Sequence, residues 1–133
     1  FYKIKILNNF SDNTYFVSNY INLDLIWNTG IGFGLLSSDS NVIYNVITII
    51  IFLVILILFY LAAVSRKLDN IIFSIIIGGA LGNLYDRLFY SAVPDFIDLH
   101  YENLHWFTFN LADIFITLGI ITFIAKDFFV INK

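Results

Sequence analysis

The chain has 133 residues, the length of one domain, of which 59% are apolar and only 13% charged, with a formal net charge of −3. A soluble domain carries about twice that charged fraction, so the surplus of Ile, Leu and Phe is expected to face lipid, and the weak negative charge argues against nucleic acid as a partner. No cysteine is present, which excludes a thiol nucleophile, a disulfide framework and thiolate metal ligation.

The chain opens at Phe1 and contains no Met, which points to an N-terminally truncated sequence. Phe1 to Phe10 holds Lys3 and Lys5 but no apolar run of the signal-peptide kind after them. Residues 10–41 are polar, rich in Asn and Ser, and then alternate through "YINLDLIWNTGIGFGLL", the pattern of a short sheet. In "NTGIGFG", residues 28–34, Gly30, Gly32 and Gly34 alternate. An extended strand would present one bare face there, open to another backbone or a lipid; a glycine-rich turn fits equally well. The segment has no GK[ST] and does not match GxGxxG, so it is no nucleotide loop.

Three apolar runs follow, at about 42–64, 70–89 and 107–131, each near the ~20 residues that cross hydrocarbon as a helix. The first is the most apolar and is expected to be the most lipid-exposed. The other two carry polar residues, which should face a bundle interior. "SRKLDN" joins the first two runs and holds Arg66 and Lys67, while the tail holds Lys126 and Lys133; excess positive charge assigns both to the cytoplasm. Residues 1–41 and 90–106 then lie outside, with Asp12, Asp24, Asp39, Asp98 and Glu102, and with Trp27 and Trp106 as interfacial anchors. Lys3 and Lys5 run against this orientation.

The second run ends in "GGALGNLYDRLF". Ser74, Gly78 and Gly82 are four apart, the spacing of close helix packing. Asn83 and Arg87 share one helical face, with Asp86 beside them. Charges deep in a bilayer cost roughly 2.5–3.5 kcal/mol each on insertion scales. Two readings fit: an internal salt bridge with a snorkelling arginine, or a scaffold that orients neighbouring groups. "AVPDFID" then places Asp95 behind Pro94, and residues 90–106 are expected to form a short amphipathic helix on the membrane surface. His100 and His105 are five apart, on different helical faces and outside any HExxH. With Asp98 and Glu102 near, a metal site is conceivable, but a solvated interfacial helix accounts for them better.

In the third run Asn110, Asp113 and Thr117 fall at i, i+3 and i+7, a polar stripe with Asp113 about two turns in. An intramembrane aspartate is a functional-site candidate by default; a packing hydrogen bond is the alternative. Asp95 lies just outside the second run, where an exposed loop aspartate is the alternative; the second and third runs present their polar ends at the same outer surface, so Asp95 and Asp113 are expected to meet there. Two carboxylates at a low-dielectric boundary cannot easily both ionise. One then serves as acid and the other as base, without metal or cofactor.

These blocks in this order resemble the lipoprotein signal peptidases, the bacterial signal peptidase II family. "NTGIGFG" is similar to its N-x-G-x-x-F-[GS] block, "GGALGNLYDR" to G-G-x-x-G-N-x-x-D-R, "VPDFID" to V-x-D-F, and "FNLADIFI" to F-N-x-A-D. The resemblance covers about residues 20–125. Gly32 stands where the family often has Ala. The resemblance implies an aspartyl endopeptidase of the bacterial inner (cytoplasmic) membrane, multi-pass with four spans, three of them in this chain, and an active site at the outer, periplasmic face. It further implies removal of the signal peptide from diacylglyceryl-modified prolipoproteins, before the lipidated Cys, with Asp95 and Asp113 as the catalytic pair. Asn28, Gly30, Asn83, Asp86, Arg87 and Asn110 match its other polar and glycine positions, which orient the aspartates, the substrate backbone or the lipid.

The expected architecture is thus an all-α integral membrane helix bundle with a small extracytoplasmic β-sheet and a short interfacial helix, forming one membrane peptidase domain. Its partners are lipid-modified prolipoproteins and membrane lipids, with no nucleic acid, and the chain is expected to be a monomer. Two rival functions remain at this point. A transporter fragment would place carboxylates near the midplane, commonly in repeated halves, and no repeat is visible. A catalytically silent binder would keep the fold without the chemistry.

Overall fold

The computed structural model describes residues 14–31, 33, 35, 36 and 40–131. The readings placed on Lys3, Lys5, Asp12, Gly32, Gly34, Asp39 and Lys133 lie outside these residues. The elements run β1 (Tyr15–Phe16), β2 (Ile21–Asn28), α1 (Asn41–Val64), α2 (Lys67–Tyr90), β3 (Val93–Tyr101), β4 (Leu104–Phe109) and α3 (Leu111–Ile131). The chain divides into two compact units, residues 1–45 with 86–110, and residues 46–85 with 111–133.

The first unit is built on an antiparallel sheet of four strands in the order β1-β2-β3-β4. A bundle of helices alone is therefore not what this sequence makes. The largest departure is at residues 90–106, expected as an interfacial helix and found as the β3–β4 hairpin, with His100 opposite His105 and Tyr101 opposite Leu104. Ile97-Asp98-Leu99-His100 alternates with a period of two, which suits a strand and spoils a helical face. Glu102 takes the left-handed conformation, φ 52°, at the hairpin tip, and no Asn-Gly signals the turn. Pro94 is tolerated in an interior strand because β4 pairs only from Ile97 onward, so that Pro94 faces Trp27 of β2 alone.

The hairpin also moves the start of the third helix. Phe107 and Phe109 belong to β4, where they meet the Phe33 ring edge-on at 5.5 and 6.0 Å. Helix α3 therefore begins at Leu111, and Asp113 sits in its first turn rather than two turns in. Asn110 precedes the helix, so the expected stripe of Asn110, Asp113 and Thr117 is not one helical face. At the other boundary α2 starts at Lys67, leaving Ser65 and Arg66 as the whole link where a six-residue loop was expected.

The second unit has its core at Ala62, Ile72, Phe73, Ile76 and Ile77, with Leu58, Ile116 and Phe123 packed against it. Phe73 and Phe123 lie 5.0 Å apart between ring centroids. Two glycines let α2 and α3 approach: a Cβ at Gly79 would lie 2.6 Å from the Ala112 carbonyl oxygen and 2.8 Å from Ile116 Cγ1, and a Cβ at Gly119 would run into Ile76 Cγ1 of α2. The expected packing residue Gly78 instead faces open space, and Gly82 is in ordinary contact, 3.8 Å from Ala112 Cβ. The spacing of four was right for a helix face but chose the wrong face. Lys126 pairs with Asp69, and its ammonium lies 4.2 Å from the Phe123 ring centroid.

Helices α1 and α2, 24 residues each, are long and apolar enough to cross a membrane. As expected, α1 is the less buried of the two; Ile49, Ile50, Phe52, Leu53, Ile57 and Tyr60 are all exposed along it. Apolar surface on that scale has a favourable solvent in lipid and none in water.

Candidate active site

Asp95 lies on β3, in register with Ile26 of β2, beside a bulge between Leu23 and Ile26. It is 1% exposed, buried within the sheet and not on a loop in solvent. A buried carboxylate must have its lone pairs met, and two asparagine amides meet them. Asn28 Nδ2 donates to Asp95 Oδ2 at 2.8 Å, and Asn110 Nδ2 donates to Asp95 Oδ1 at 2.7 Å. Both asparagines are themselves buried.

Asn28 is fixed by its own turn. Its Oδ1 accepts the Gly30 N–H at 2.8 Å, and its Nδ2 also donates to the Ile31 carbonyl at 2.9 Å. This is an Asx-type turn, in which a side chain replaces a backbone partner. The Gly30 region is thus a turn where the strand ends, which decides between the two readings of that residue. Arg87, at the end of α2, holds the same turn: Nη2 donates to the Gly30 carbonyl and Nη1 to the Thr29 carbonyl at 3.4 Å. Arg87 and Asp86 are both buried, 3% and 4% exposed. Arg87 of "GNLYDR" thus ties the end of α2 to the carbonyls of the Asn28 turn.

In the second unit Asp113 is 4% exposed in the first turn of α3, where the helix dipole favours an anion. Asn83 Nδ2 donates to Asp113 Oδ1 at 2.8 Å. The structure thus brings Asn28, Gly30, Arg87, Asp95 and Asn110 together in one unit and Asn83 with Asp113 in the other.

A small cleft of about 150 Å³ opens onto Asp95 within the first unit, walled by Ile26, Trp27, Phe33, Trp106, Phe107 and Thr108. Trp27 and Trp106 are both about half exposed. Sequence reasoning assigned them to the membrane interface and missed that they flank the carboxylate; the only signal was aromatic residues at strand spacing. It also missed Tyr44 and Thr29, which enter the site through Arg87. On the far part of the hairpin, His105 Nδ1 lies 2.7 Å from Asp98 Oδ2, and the His100 and His105 rings stack at 5.4 Å. His100 and Asp98 are buried, contrary to a solvated helix.

The family model for signal peptidase (SPase) II matches residues 1–129. The chain belongs to the signal peptidase II family. It is 50% identical over 118 residues to a lipoprotein signal peptidase of Pelagibacter ubique, covering 89% of this chain and 71% of that relative. It is 38% identical over 121 residues to a lipoprotein signal peptidase of Francisella tularensis subsp. novicida, covering 88% and 75%. Two bacterial membrane enzymes solved by the in meso method share the fold. The one at 2.3 Å resolution has a TM-score of 0.70 and 27% identity, covering 94% of this chain and 77% of its own. The one at 1.9 Å has a TM-score of 0.74 and 25% identity, covering 94% and 81%. This is a membrane protease of lipoprotein processing.

Proposed function

We propose that Asp95 and Asp113 are the catalytic pair with which this lipoprotein signal peptidase removes the signal peptide from diacylglyceryl-modified prolipoproteins, cutting before the lipidated Cys. The observation that carries the assignment is that both carboxylates are buried and each accepts a side-chain amide from an asparagine the sequence blocks contain. In this reading one carboxylate takes a proton from water as the water attacks the scissile carbonyl carbon. The other, carrying a proton, donates a hydrogen bond to the carbonyl oxygen. Collapse of the tetrahedral intermediate breaks the C–N bond, and a carboxyl proton goes to the leaving amine.

Three further assignments belong to the same proposal. The three helices α1, α2 and α3 each span the inner membrane, in a single peptidase domain. The aspartates work at its periplasmic face, next to lipid, and the chain acts as a monomer. Asn28, Gly30, Asn110 and Arg87 keep Asp95 in place, and Asn83 keeps Asp113 in place, while Asp86 completes the buried end of α2. The chemistry of the donors supports an aspartyl reaction that needs no cofactor.

The test is cleavage of a diacylglyceryl-modified prolipoprotein in detergent by the parent, Asp95→Asn and Asp113→Asn. Loss of about three orders of magnitude or more in kcat for both variants is expected when a group takes part directly in bond-making. Retained cleavage in either removes that residue from the mechanism. A folded parent that binds but does not cleave overturns the peptidase reading in favour of a silent binder.

A further inference from the structure

We propose that Tyr44, on the first turn of α1, is a positioning residue for Asp95, acting through Arg87 and the Asn28 turn; this rests on Asp95 being catalytic. Tyr44 belongs to none of the four sequence blocks. Its hydroxyl donates to the Arg87 carbonyl oxygen at 2.8 Å, and its ring lies under the Arg87 guanidinium, 5.8 Å from centroid to Cζ. Both ends of Arg87 are thus engaged by one side chain. The ring contact is within range of cation–π attraction.

What Arg87 does with that fixation is visible in its other contacts. Its guanidinium donates to the Thr29 and Gly30 carbonyls, the Gly30 N–H is bound by Asn28 Oδ1, and Asn28 Nδ2 reaches Asp95 Oδ2. Each link is a hydrogen bond with a defined direction, so a shift of the guanidinium is passed on as a rotation of the Asn28 amide. A long arginine side chain has many rotamers, and one hydrogen-bonding fork alone leaves several open. Tyr44 narrows them from the opposite side.

A competing account is purely structural. The Arg87 carbonyl also accepts the Ser91 N–H at 3.1 Å, where α2 ends in the left-handed Ser91, φ 56°. Tyr44 could serve only as a second donor to this helix end. The two accounts differ in whether Tyr44 and Asn28 are coupled.

The experiment is a double-mutant cycle on prolipoprotein cleavage in detergent, with the parent, Tyr44→Phe, Asn28→Ala and the double variant, alongside melting temperatures. Tyr44→Phe keeps the ring and removes the hydroxyl. We expect it to lower kcat about fivefold with KM within about twofold, and to have almost no further effect once Asn28 is already Ala, as residues acting in one chain behave. Tyr44→Leu, which also removes the ring, should lower kcat further in the parent and again do little in the Asn28→Ala background. Equal losses in both backgrounds, or a lower melting temperature with kcat unchanged, would overturn the proposal and leave the helix-end role. If Tyr44→Leu does not fold, Tyr44→Phe alone decides. An inactive parent refutes the peptidase assignment, and active parent with inactive Asp95→Asn but indifferent Tyr44→Phe refutes only this inference.

Discussion

The two aspartates are held in different ways. Asp95 sits on a sheet strand, and its donors come from 67 and 15 residues away, each carboxylate oxygen receiving an asparagine amide. Asp113 sits in a helix first turn, where the dipole already favours a carboxylate, with Asn83 donating from the neighbouring helix. A strand offers no such field, so the carboxyl group on it depends on side chains brought from elsewhere in the chain. The sheet-borne carboxylate should therefore be more sensitive to loss of a single amide than the helix-borne one.

Asparagine substitutions test this most sharply. Asn110→Ala removes a buried partner of Asp95 and leaves Oδ1 short of a donor, a loss on the order of 1–3 kcal/mol. We expect kcat for prolipoprotein cleavage to fall by ~10- to 100-fold. Asn83→Ala should cost less, on the order of tenfold, because Asp113 keeps its place in the first turn of α3. An equal or larger loss for Asn83→Ala would break the comparison.

The helical platform under Asp113 can be disturbed without touching a polar group. Gly79→Ala would drive a Cβ against the Ala112 carbonyl, a backbone atom that cannot move aside cheaply. A loss of ~1–3 kcal/mol is expected for overpacking of this kind, read as a lower melting temperature in detergent. Activity in the surviving folded fraction should fall as well, since Ala112 adjoins Asp113. Gly78→Ala, one residue away, meets nothing within 4 Å. It should leave stability within about 1 kcal/mol of the parent, on the stabilising side, through helix propensity. If Gly78→Ala proved the more damaging of the two, the packing face assigned to α2 would be wrong.

Much of this was legible in the chain itself. The runs at 42–64 and 70–89 agree with α1 and α2 to within three residues at each end, because a long apolar run has few other ways to satisfy its backbone. Residues 10–41 are expected to form a short sheet, and β1 and β2 fall within them. The candidate residues Asn28, Gly30, Arg87, Asp95 and Asn110 do form one network, and Asn83 does meet Asp113. Residues 90–106 are expected as an interfacial helix despite the alternation from Ile97 to His100, because the tip carries Glu102 and Asn103 instead of a glycine turn that would signal a hairpin.

The sequence by itself determined the membrane class, the apolar helices and the four motif blocks, since these depend on local composition and on spacing along the chain. Only the tertiary structure decided which glycines pack, where α3 begins, and that Arg87 binds carbonyls of the Asn28 turn. It also brought Tyr44 to Arg87 from 43 residues away. The physical reason is the same in each case. Hydrogen-bond direction and close contact depend on what a distant segment presents, and no periodicity within one segment encodes its neighbour.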